Sequence, residues 1–238
     1  MAGTAARRGG QALSAFSPAG RGGKRLSETY IFTRREELVN AITHGIGAAL
    51  SLAALAVLVV FAALRGTALH VVSFAVYGTA MLLVYTASTL VHSLPEGKAK
   101  RVFEIADYAC IYLFIAGTYT PVVLHAVQGA LGWTLLAVVW TAAAAGIAFQ
   151  SMFPGRYPFV STLLYLATGW IIVAAWGPLT ERMAAGGLTL LVLGGLAYTV
   201  GTVFFLWRKL KYHHAVWHSF VVAGSALHFF AILFYLLP

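Results

Sequence analysis

The stretch ALGWTLLAVVWTAAAAGIAFQSM, residues 130–152, runs for 23 residues without a charged side chain or a histidine. An α-helix needs about 20 predominantly apolar residues to cross the hydrocarbon core of a bilayer. We therefore predict that this stretch is a transmembrane helix. The sequence PGRYP follows at residues 154–158, where two prolines and a glycine favour a tight turn. A second span is expected directly after that turn.

The same criterion, applied outward from this stretch, predicts seven spans. The expected fold is an all-α, seven-helix transmembrane bundle that occupies residues 31–238. The composition agrees, because 60% of the residues are hydrophobic and only 10% are charged, a balance that is typical of membrane proteins. The predicted spans are 40–64, 70–94, 103–126, 130–152, 158–178, 187–207 and 214–237.

Residues 1–30 differ from the rest of the chain in composition. They are rich in glycine, alanine, arginine and serine, and they contain no apolar run. A secretory signal needs an apolar run, so these residues are predicted to be a disordered basic tail instead. The single cysteine, Cys110, excludes an internal disulfide framework and a cysteine-rich zinc module.

Lysine and arginine are distributed unequally between the two sides that seven spans define. The segments on the side of the N-terminus hold fourteen of them, and the opposite side holds only Arg65 and Arg182. Short loops with an excess of lysine and arginine face the cytoplasm. The N-terminus is therefore predicted to be cytoplasmic and the C-terminus extracytoplasmic. This distribution accounts for the net charge of +9 without a nucleic acid partner.

Polar side chains that a lipid environment disfavours fall at one depth of this predicted bundle. Ser88 and His92 lie near the inner end of the second span. Asp107 lies one turn into the third span, and His214 and His218 occupy the first two turns of the seventh. At a rise of about 1.5 Å per residue, all five lie within roughly 10 Å of the cytoplasmic interface. Ionisable residues inside a membrane usually mark a functional site.

The spacing of the histidines favours a metal site. His214 and His218 are four residues apart, so their rings project from one face of a helix, as in helical zinc-binding pairs. His92 is placed to supply a third nitrogen at the same depth. Three histidines with an open fourth position are typical of catalytic zinc sites. Imidazole ligands without a thiolate favour zinc, although iron and nickel are also compatible.

Two neighbouring residues are candidates for catalysis. Asp107 is predicted either to orient a metal-bound water or to be a direct fourth ligand. Ser88 is four residues before His92, hence on the same helix face, where its hydroxyl can bond substrate or water. Polar contacts between helices and a metal-free proton relay are the alternatives. Polar contacts alone do not account for an i, i+4 pair, a third histidine and a carboxylate at one depth.

The polar stripe of the first helix and the remaining histidines are predicted to have other roles. Glu37, Asn40 and His44 form a stripe on one face of the first helix, which indicates either support of the site and contact with a substrate headgroup, or ordinary chemistry of a helix N-terminus. His213 is predicted to lie at the interface without a specific role. His228 is too far from His218 to join the same metal and is predicted to bond a neighbouring helix. The other two histidines, His70 and His125, fall at the outer interface and indicate no site.

Four motifs lie in order along the chain: E-x-x-N-x-x-T-H at Glu37–His44, S-x-x-x-H at Ser88–His92, D-Y followed by A-G-T-Y-T-P within Asp107–Pro121, and H-x-x-x-H at His214–His218. Together they resemble the hemolysin III family, the bacterial branch of the progestin and adipoQ receptors within the alkaline ceramidase-like membrane hydrolases. The resemblance implies a heptahelical fold with a cytoplasmic N-terminus and a zinc ion held by His92, His214 and His218, with Asp107 near its water.

Three functions are compatible with this sequence. The first is a zinc hydrolase that cleaves a lipid amide or ester at the inner leaflet of a bacterial plasma membrane. The second is a pore-forming cytolysin, which predicts a polar stripe through the whole bilayer that the sequence does not supply. The third is a sensor or regulator of the membrane that uses zinc structurally. Membrane lipids are the predicted partners, and no feature identifies a protein partner.

Overall fold

The protein is an all-helical bundle in the computed structural model, which describes residues 32–238. Seven helical segments are long and apolar enough to cross a membrane, and α5 and α6 together form the fifth of them. The described residues contain no β-strand, so the predicted all-α fold with seven spans is confirmed. The predicted tail, residues 1–30, lies outside these residues. The helices are α1 (Arg34–Arg65), α2 (Ala68–Ser93), α3 (Lys98–Val122), α4 (Gly129–Met152), α5 (Pro158–Gly169), α6 (Trp176–Arg182), α7 (Ala185–Leu206) and α8 (His213–Tyr235).

Large apolar side chains cover the outer surface of the bundle. Leu52 is 60% exposed, Leu64 is 75% exposed and Phe234 is 64% exposed. A soluble monomer rarely exposes apolar surface on this scale, whereas a bilayer solvates it. The exposed leucines are therefore the lipid-facing surface of a multi-pass membrane protein. We call the end of the bundle where α1 and α8 begin the inner end.

The first helix begins at Arg34, ahead of the predicted span, because the preceding residue caps it. The Glu36 main-chain N–H donates to the Thr33 hydroxyl at 3.3 Å, and the Glu36 carboxylate accepts from the Thr33 N–H at 2.9 Å. This reciprocal cap satisfies backbone donors that the first turn of a helix leaves without partners. The helical turn that carries Glu37 is thereby held at the inner end of the bundle.

Small residues let the helices that carry the site approach closely. A Cβ atom on Gly47 of α1 would lie 2.7 Å from the ring of Tyr85 on α2. A Cβ atom on Gly194 of α7 would overlap the ring of His228 on α8. Membrane helices associate through such close packing because lipid provides no hydrophobic driving force between them. The two glycines bring α2 against α1 and α8 against α7.

A polar cluster in the middle of the bundle joins α2, α7 and α8. The Ser225 hydroxyl is hydrogen-bonded to Tyr85 at 2.7 Å and to Tyr198 at 3.1 Å. The hydroxyl of Tyr77 donates to the main-chain oxygen of Ser225 at 3.1 Å. Hydrogen bonds of this kind between membrane helices contribute about 0.6–2 kcal/mol each. The cluster fixes α8 relative to α2, and so fixes the relative positions of the histidines that these two helices carry.

The fifth span, which apolarity alone predicts as one stretch, is built from two α-helices. α5 ends at Gly169, a 3₁₀ segment runs from Ile171 to Ala175, and α6 follows. A break at membrane depth leaves backbone groups that need partners inside the protein. The Tyr119 hydroxyl of α3 supplies them, because it donates to the Gly169 oxygen at 2.8 Å and accepts from the Ile172 N–H at 2.7 Å. The break therefore lies against α3.

Candidate metal centre

Three histidines from two helices meet at the inner end of the bundle. His92 lies in the last turn of α2, and His214 and His218 lie in the first two turns of α8. One ligand nitrogen from each ring lies within 4.8 Å of the corresponding nitrogens of the other two. The ring centroids of His214 and His218 are 4.4 Å apart, as expected for residues one helical turn apart. The structure thus brings together the three side chains that the sequence predicts as metal ligands.

The donor atoms of this cluster suit a metal ion. His92 is 8% exposed and His218 is 1% exposed. His92 Nε2 and His218 Nδ1 are buried and form no hydrogen bond within residues 32–238. A buried polar atom without a partner costs about 1–3 kcal/mol, so its presence in a native fold needs an explanation. Convergent imidazole nitrogens with available lone pairs are zinc ligands of the type that three-histidine sites use. The residues present therefore fit a bound metal ion.

Glu37 of α1 determines how His92 faces the cluster. Its Oε2 lies 2.5 Å from His92 Nδ1. A carboxylate only accepts hydrogen bonds, so Nδ1 of the His92 ring donates to it, and in the neutral ring the lone pair is then on Nε2. Histidine ligands of metals commonly donate their second nitrogen to a carboxylate in this way, which orients the ring and raises its basicity. Glu37 is thus placed to support His92.

A lysine that the sequence did not single out holds this carboxylate. Lys100 of α3 is 8% exposed, and its Nζ donates to Glu37 Oε1 at 2.7 Å and to Glu96 Oε1 at 2.8 Å. A buried ammonium is tolerated only when it is paired and hydrogen-bonded. The four-residue spacing of Glu96 and Lys100 is the one sequence signal that indicates this contact. Through Lys100, the start of α3 is connected to Glu37 and hence to His92.

The other two residues of the α1 stripe lie against His218. The Asn40 main chain lies beside the His218 ring, and the Asn40 side chain is 1% exposed. The His44 ring stacks on the His218 ring with centroids 3.4 Å apart. Both ring nitrogens of His44 are buried and form no hydrogen bond with the described part of the chain. The three residues of the α1 stripe, Glu37, Asn40 and His44, therefore all lie against the histidine cluster.

Asp107 and Ser88 face the same space as the histidines. Asp107 interacts electrostatically with both His92 and Ser88, and all three line one cavity. Ser88 is 1% exposed. Within residues 32–238, Asp107 is not a member of the group whose ligand atoms lie within 4.8 Å of one another. Asp107 thus lies beside the three histidines without belonging to their cluster.

The cavity beside the histidines is large and mostly apolar. It has a volume of about 1060 Å³ and extends from the inner end to Tyr119, Trp170 and His228 in the middle of the bundle. Ligand sites typically have volumes of roughly 300–1,000 Å³ with apolar walls and few polar groups. The apolar walls between the two ends include Val84, Ile111, Phe114, Ile115, Leu166 and Val221. The cavity therefore has the volume and the lining of a site for an amphiphile.

One prediction about the remaining histidines of α8 was wrong. His213 is the first residue of α8, as an interfacial position requires, and there it is 3% exposed, with its Nδ1 3.1 Å from the Phe204 main-chain oxygen. Among residues 32–238, His228 bonds only within its own helix, through Nδ1 to the Gly224 oxygen at 2.8 Å, whereas a bond to a neighbouring helix was predicted. Its contact with α7 is a stacked ring pair with Tyr198, at a centroid distance of 5.4 Å.

Phe32 also contributes to the site, and the sequence analysis missed it. Its ring lies 5.0 Å from His214 and 5.7 Å from His92 between centroids. An apolar residue immediately before a capping Thr is a recognised helix-start pattern, which is the signal that could have found it. Phe32 covers the histidine cluster at the inner end.

The sequence of this chain matches one protein family and several known proteins. The family described as Haemolysin-III related matches residues 32–229. The chain is 52% identical over 204 residues to Hemolysin-3 of Bacillus cereus, which covers 86% of this chain and 93% of that protein. It is 50% identical over 205 residues to the Hemolysin-3 homolog of Bacillus subtilis, covering 86% and 96% of the two chains.

A human protein is also similar to this chain, at lower sequence identity. The Monocyte to macrophage differentiation factor of Homo sapiens is 30% identical over 167 residues, covering 68% of this chain and 69% of that protein. The family match contains all seven spans up to the second half of α8, with every histidine of the cluster inside it. The chain therefore belongs to the Haemolysin-III related family, as its motifs indicated.

Proposed function

We propose that the protein is a zinc-dependent hydrolase that cleaves an amide or ester bond of a membrane lipid. The observation that carries the proposal is the position of three convergent histidines at one end of an apolar cavity, beside a carboxylate and a buried hydroxyl. The open fourth position of a three-histidine set is typical of catalytic zinc sites, whereas structural sites are closed by four protein ligands. This difference favours catalysis over a purely structural ion.

The residues beside the histidines can carry out the proton transfers of hydrolysis. Zinc, when bound, supplies Lewis acidity and a water molecule whose pKa is about 7. Water adds to the carbonyl carbon, the C–N or C–O bond breaks, and the products are a carboxylic acid and an amine or alcohol. Asp107 accepts the proton from water and delivers it to the leaving group. The Ser88 hydroxyl donates to the carbonyl oxygen as negative charge develops there.

The cavity supports a lipid as the substrate. Its apolar walls and its volume of about 1060 Å³ suit an acyl chain, and its inner end brings the head of such a chain to the histidines. Binding of the chain away from the reacting bond orients that bond for attack. The cavity thus supports cleavage at the junction between a chain and a headgroup.

The proposed location is the inner leaflet of a bacterial plasma membrane. Fourteen of the sixteen lysines and arginines lie on the side of the N-terminus, which supports a cytoplasmic N-terminus and an extracytoplasmic C-terminus. A reporter fused after Pro238 should be active only outside the cytoplasm. Activity only in the cytoplasm would invert the topology and place the histidines at the outer leaflet.

The direct test combines metal analysis with a lipid screen. Purified full-length protein should contain about one zinc ion per chain and should hydrolyse at least one lipid amide or ester. Chelation should abolish turnover, and added zinc should restore it. Asp107→Ala should retain zinc and lose roughly 10²- to 10⁴-fold in turnover, as expected for loss of a general base. Loss of zinc from this variant would instead make Asp107 a ligand.

The two alternatives give different results in the same experiment. A regulator with structural zinc would retain the ion and show no turnover with any lipid. A cytolysin would release a dye from sealed vesicles, whether or not Asp107 is present. At the far end of the cavity, the polar groups of Tyr119 and Trp170 bond the main chain and Thr199 within the bundle, which does not favour a continuous polar path.

A further inference from the structure

His228 of α8 lines the cavity at its deep end, away from the metal centre. It follows His218 by ten residues on the same helix, which places it about 15 Å further along the bundle. His228 is 8% exposed, and it also lines a smaller cavity of about 80 Å³. The two cavities share Tyr119 and Trp170 in their linings. His228 therefore lies where the large cavity meets the small one, and the proposed hydrolysis does not use it.

Contacts with α7 and α8 fix the orientation of the His228 ring. Its Nδ1 lies 2.8 Å from the Gly224 main-chain oxygen. A carbonyl oxygen only accepts hydrogen bonds, so Nδ1 donates to it, and in the neutral ring the lone pair is then on Nε2. A Cβ atom on Gly194 of α7 would overlap Nδ1 and Cε1, so that edge of the ring faces α7. The part of the ring that remains to line the cavity is the side of Nε2 and Cδ2.

No polar group within residues 32–238 donates a hydrogen bond to His228 Nε2. The bond to Gly224 is the one hydrogen bond that His228 forms with this part of the chain. The hydroxyls in the deep part of the cavity are bonded elsewhere: those of Thr118, Tyr119, Thr199 and Thr202 donate to main-chain oxygens, and that of Tyr198 is bonded to Ser225. A buried acceptor normally has a donor. The donor for Nε2 must therefore come from what fills the cavity.

We propose that His228 Nε2 accepts a hydrogen bond from a hydroxyl group in the middle of the lipid chain that occupies the cavity. An unsubstituted chain that fills the cavity leaves this nitrogen without a donor, whereas a hydroxylated chain supplies one. The separation of about 15 Å from His218 sets the distance between the hydroxyl and the head of the lipid.

The walls on either side of His228 suit hydrocarbon. Between the metal centre and His228 the wall includes Val84, Phe114 and Val221, and beyond it the small cavity is lined by residues such as Leu179 and Leu191. The ligand class is therefore an acyl chain with one mid-chain hydroxyl and an apolar end. Where such a lipid is cleaved, this inference rests on the proposed function, but binding of the chain does not.

The test compares three fatty acids of equal length, which contain no amide or ester bond to hydrolyse. The first carries a hydroxyl in mid-chain, about 15 Å from the carboxylate. The second carries the hydroxyl on the carbon next to the carboxylate, and the third carries none. Calorimetric titration of full-length protein in neutral detergent should give about fivefold tighter binding of the mid-chain hydroxy acid than of the unsubstituted acid, as expected for one neutral hydrogen bond.

Two variants separate the nitrogen from the ring that carries it. His228→Phe keeps a flat ring beside Tyr198 and removes Nε2, so the mid-chain hydroxyl is buried without an acceptor. The order of affinities should then reverse, with the unsubstituted acid bound more tightly. Tyr198→Phe is the matched control, because its ring still stacks on His228 and the hydroxyl it loses is bonded to Ser225. This variant should keep the wild-type preference.

Several results would overturn the inference. Equal binding of the mid-chain hydroxy acid and the unsubstituted acid by the wild type would mean that water satisfies the nitrogen beside the chain. An unchanged preference in His228→Phe, or an equal loss in Tyr198→Phe, would also overturn it. If His228→Phe fails to fold, the three acids still decide, since an equal gain from both hydroxyl positions would place the bond elsewhere. A chain preference without turnover of any lipid would refute the hydrolase alone, and turnover without a chain preference would refute this inference alone.

Discussion

Two pairs of stacked histidines lie at opposite ends of the bundle, and their ring geometry is nearly the same. At the inner end, His44 and His218 have centroids 3.4 Å apart and an interplanar angle of 13°. At the outer end, His70 and His125 have centroids 3.7 Å apart, again at 13°. Each pair joins two helical segments that are distant in the sequence. The stacking itself therefore does not distinguish a site from a packing contact.

The hydrogen bonds of the two pairs do distinguish them. At the outer end, His70 Nε2 contacts the Leu236 oxygen at 3.1 Å, His70 Nδ1 contacts the Thr67 hydroxyl at 3.0 Å, and His125 Nε2 contacts the Ser73 hydroxyl at 2.9 Å. At the inner end, both nitrogens of His44 and Nδ1 of His218 are buried without a partner among residues 32–238. Buried polar groups usually have a hydrogen-bond partner, so the inner nitrogens need an explanation that the outer ones do not. The outer pair is a helix contact, whereas the inner pair adjoins the candidate metal centre through His218.

The largest expected difference between the pairs is in metal content. His218→Ala should remove most of the zinc, because two nitrogens and water hold zinc poorly. His92→Ala and His214→Ala should do the same, while His125→Ala should match the wild type. The measurement is the zinc-to-protein ratio after purification. Equal ratios in the His218 and His125 variants would abolish the distinction between the two pairs.

A smaller effect is expected from the carboxylate behind the metal centre. Glu37→Gln keeps the size of the side chain but removes the charge that faces His92 and Lys100. Loss of such a supporting group typically lowers metal affinity by about 10- to 100-fold. The measurement is zinc competition with a chelator of known affinity. Glu96→Gln, which removes the exposed partner of Lys100, is the matched control and should change affinity less; the reverse order would show that Glu37 does not act through His92.

Substitutions in the outer pair should change the stability of the protein and not its metal content. His125→Ala removes the partner of the Ser73 hydroxyl, and we expect a loss of about 1 kcal/mol in the free energy of unfolding. Unfolding in detergent of His125→Ala, Ser73→Ala and the double variant gives the coupling between them. We expect the sum of the two single-variant losses in unfolding free energy to be larger than the loss in the double variant, because both single variants break the same contact. Additive effects would show that this contact contributes nothing to the outer pair.

The smallest effect is expected at His44. His44→Phe keeps a flat ring on His218 and removes only the two nitrogens, so most of the stacking contribution is retained. Zinc affinity should change by less than about threefold. A loss as large as that of Glu37→Gln would mean that a His44 nitrogen contacts the ion or its water. That result would move His44 from a packing role into the metal centre.

The features that follow from local patterns could be predicted from the sequence. Apolar runs of sufficient length identify the seven spans, and the i, i+4 spacing places His214 and His218 on one face of α8. That His92 lies at the same depth as His214 and His218 follows from the alternating direction of successive spans. These inferences succeed because a bilayer constrains length and depth along a single axis.

Features that depend on contacts between distant helices could not be predicted. The break after Gly169 is stable because Tyr119 of another helix satisfies its backbone, and no local signal in α5 reports this partner. Lys100 lies in a charged stretch at the start of α3, and its contact with Glu37 of another helix explains its burial. His213 is one residue from a candidate ligand, and the packing of Phe32 and α7 decides that it is buried.

The separation of the ligands along the chain has a consequence for biogenesis. His92 precedes His214 by 122 residues, and α8 leaves the ribosome after the other six of these seven spans. A chain with six spans inserted carries only one of the three histidines, which cannot hold zinc by itself. Under the proposed function, zinc uptake therefore follows insertion of α8. Bound zinc would then report that these seven spans have assembled, and chains that stop before α8 would be distinguishable from chains that contain it by their metal content alone.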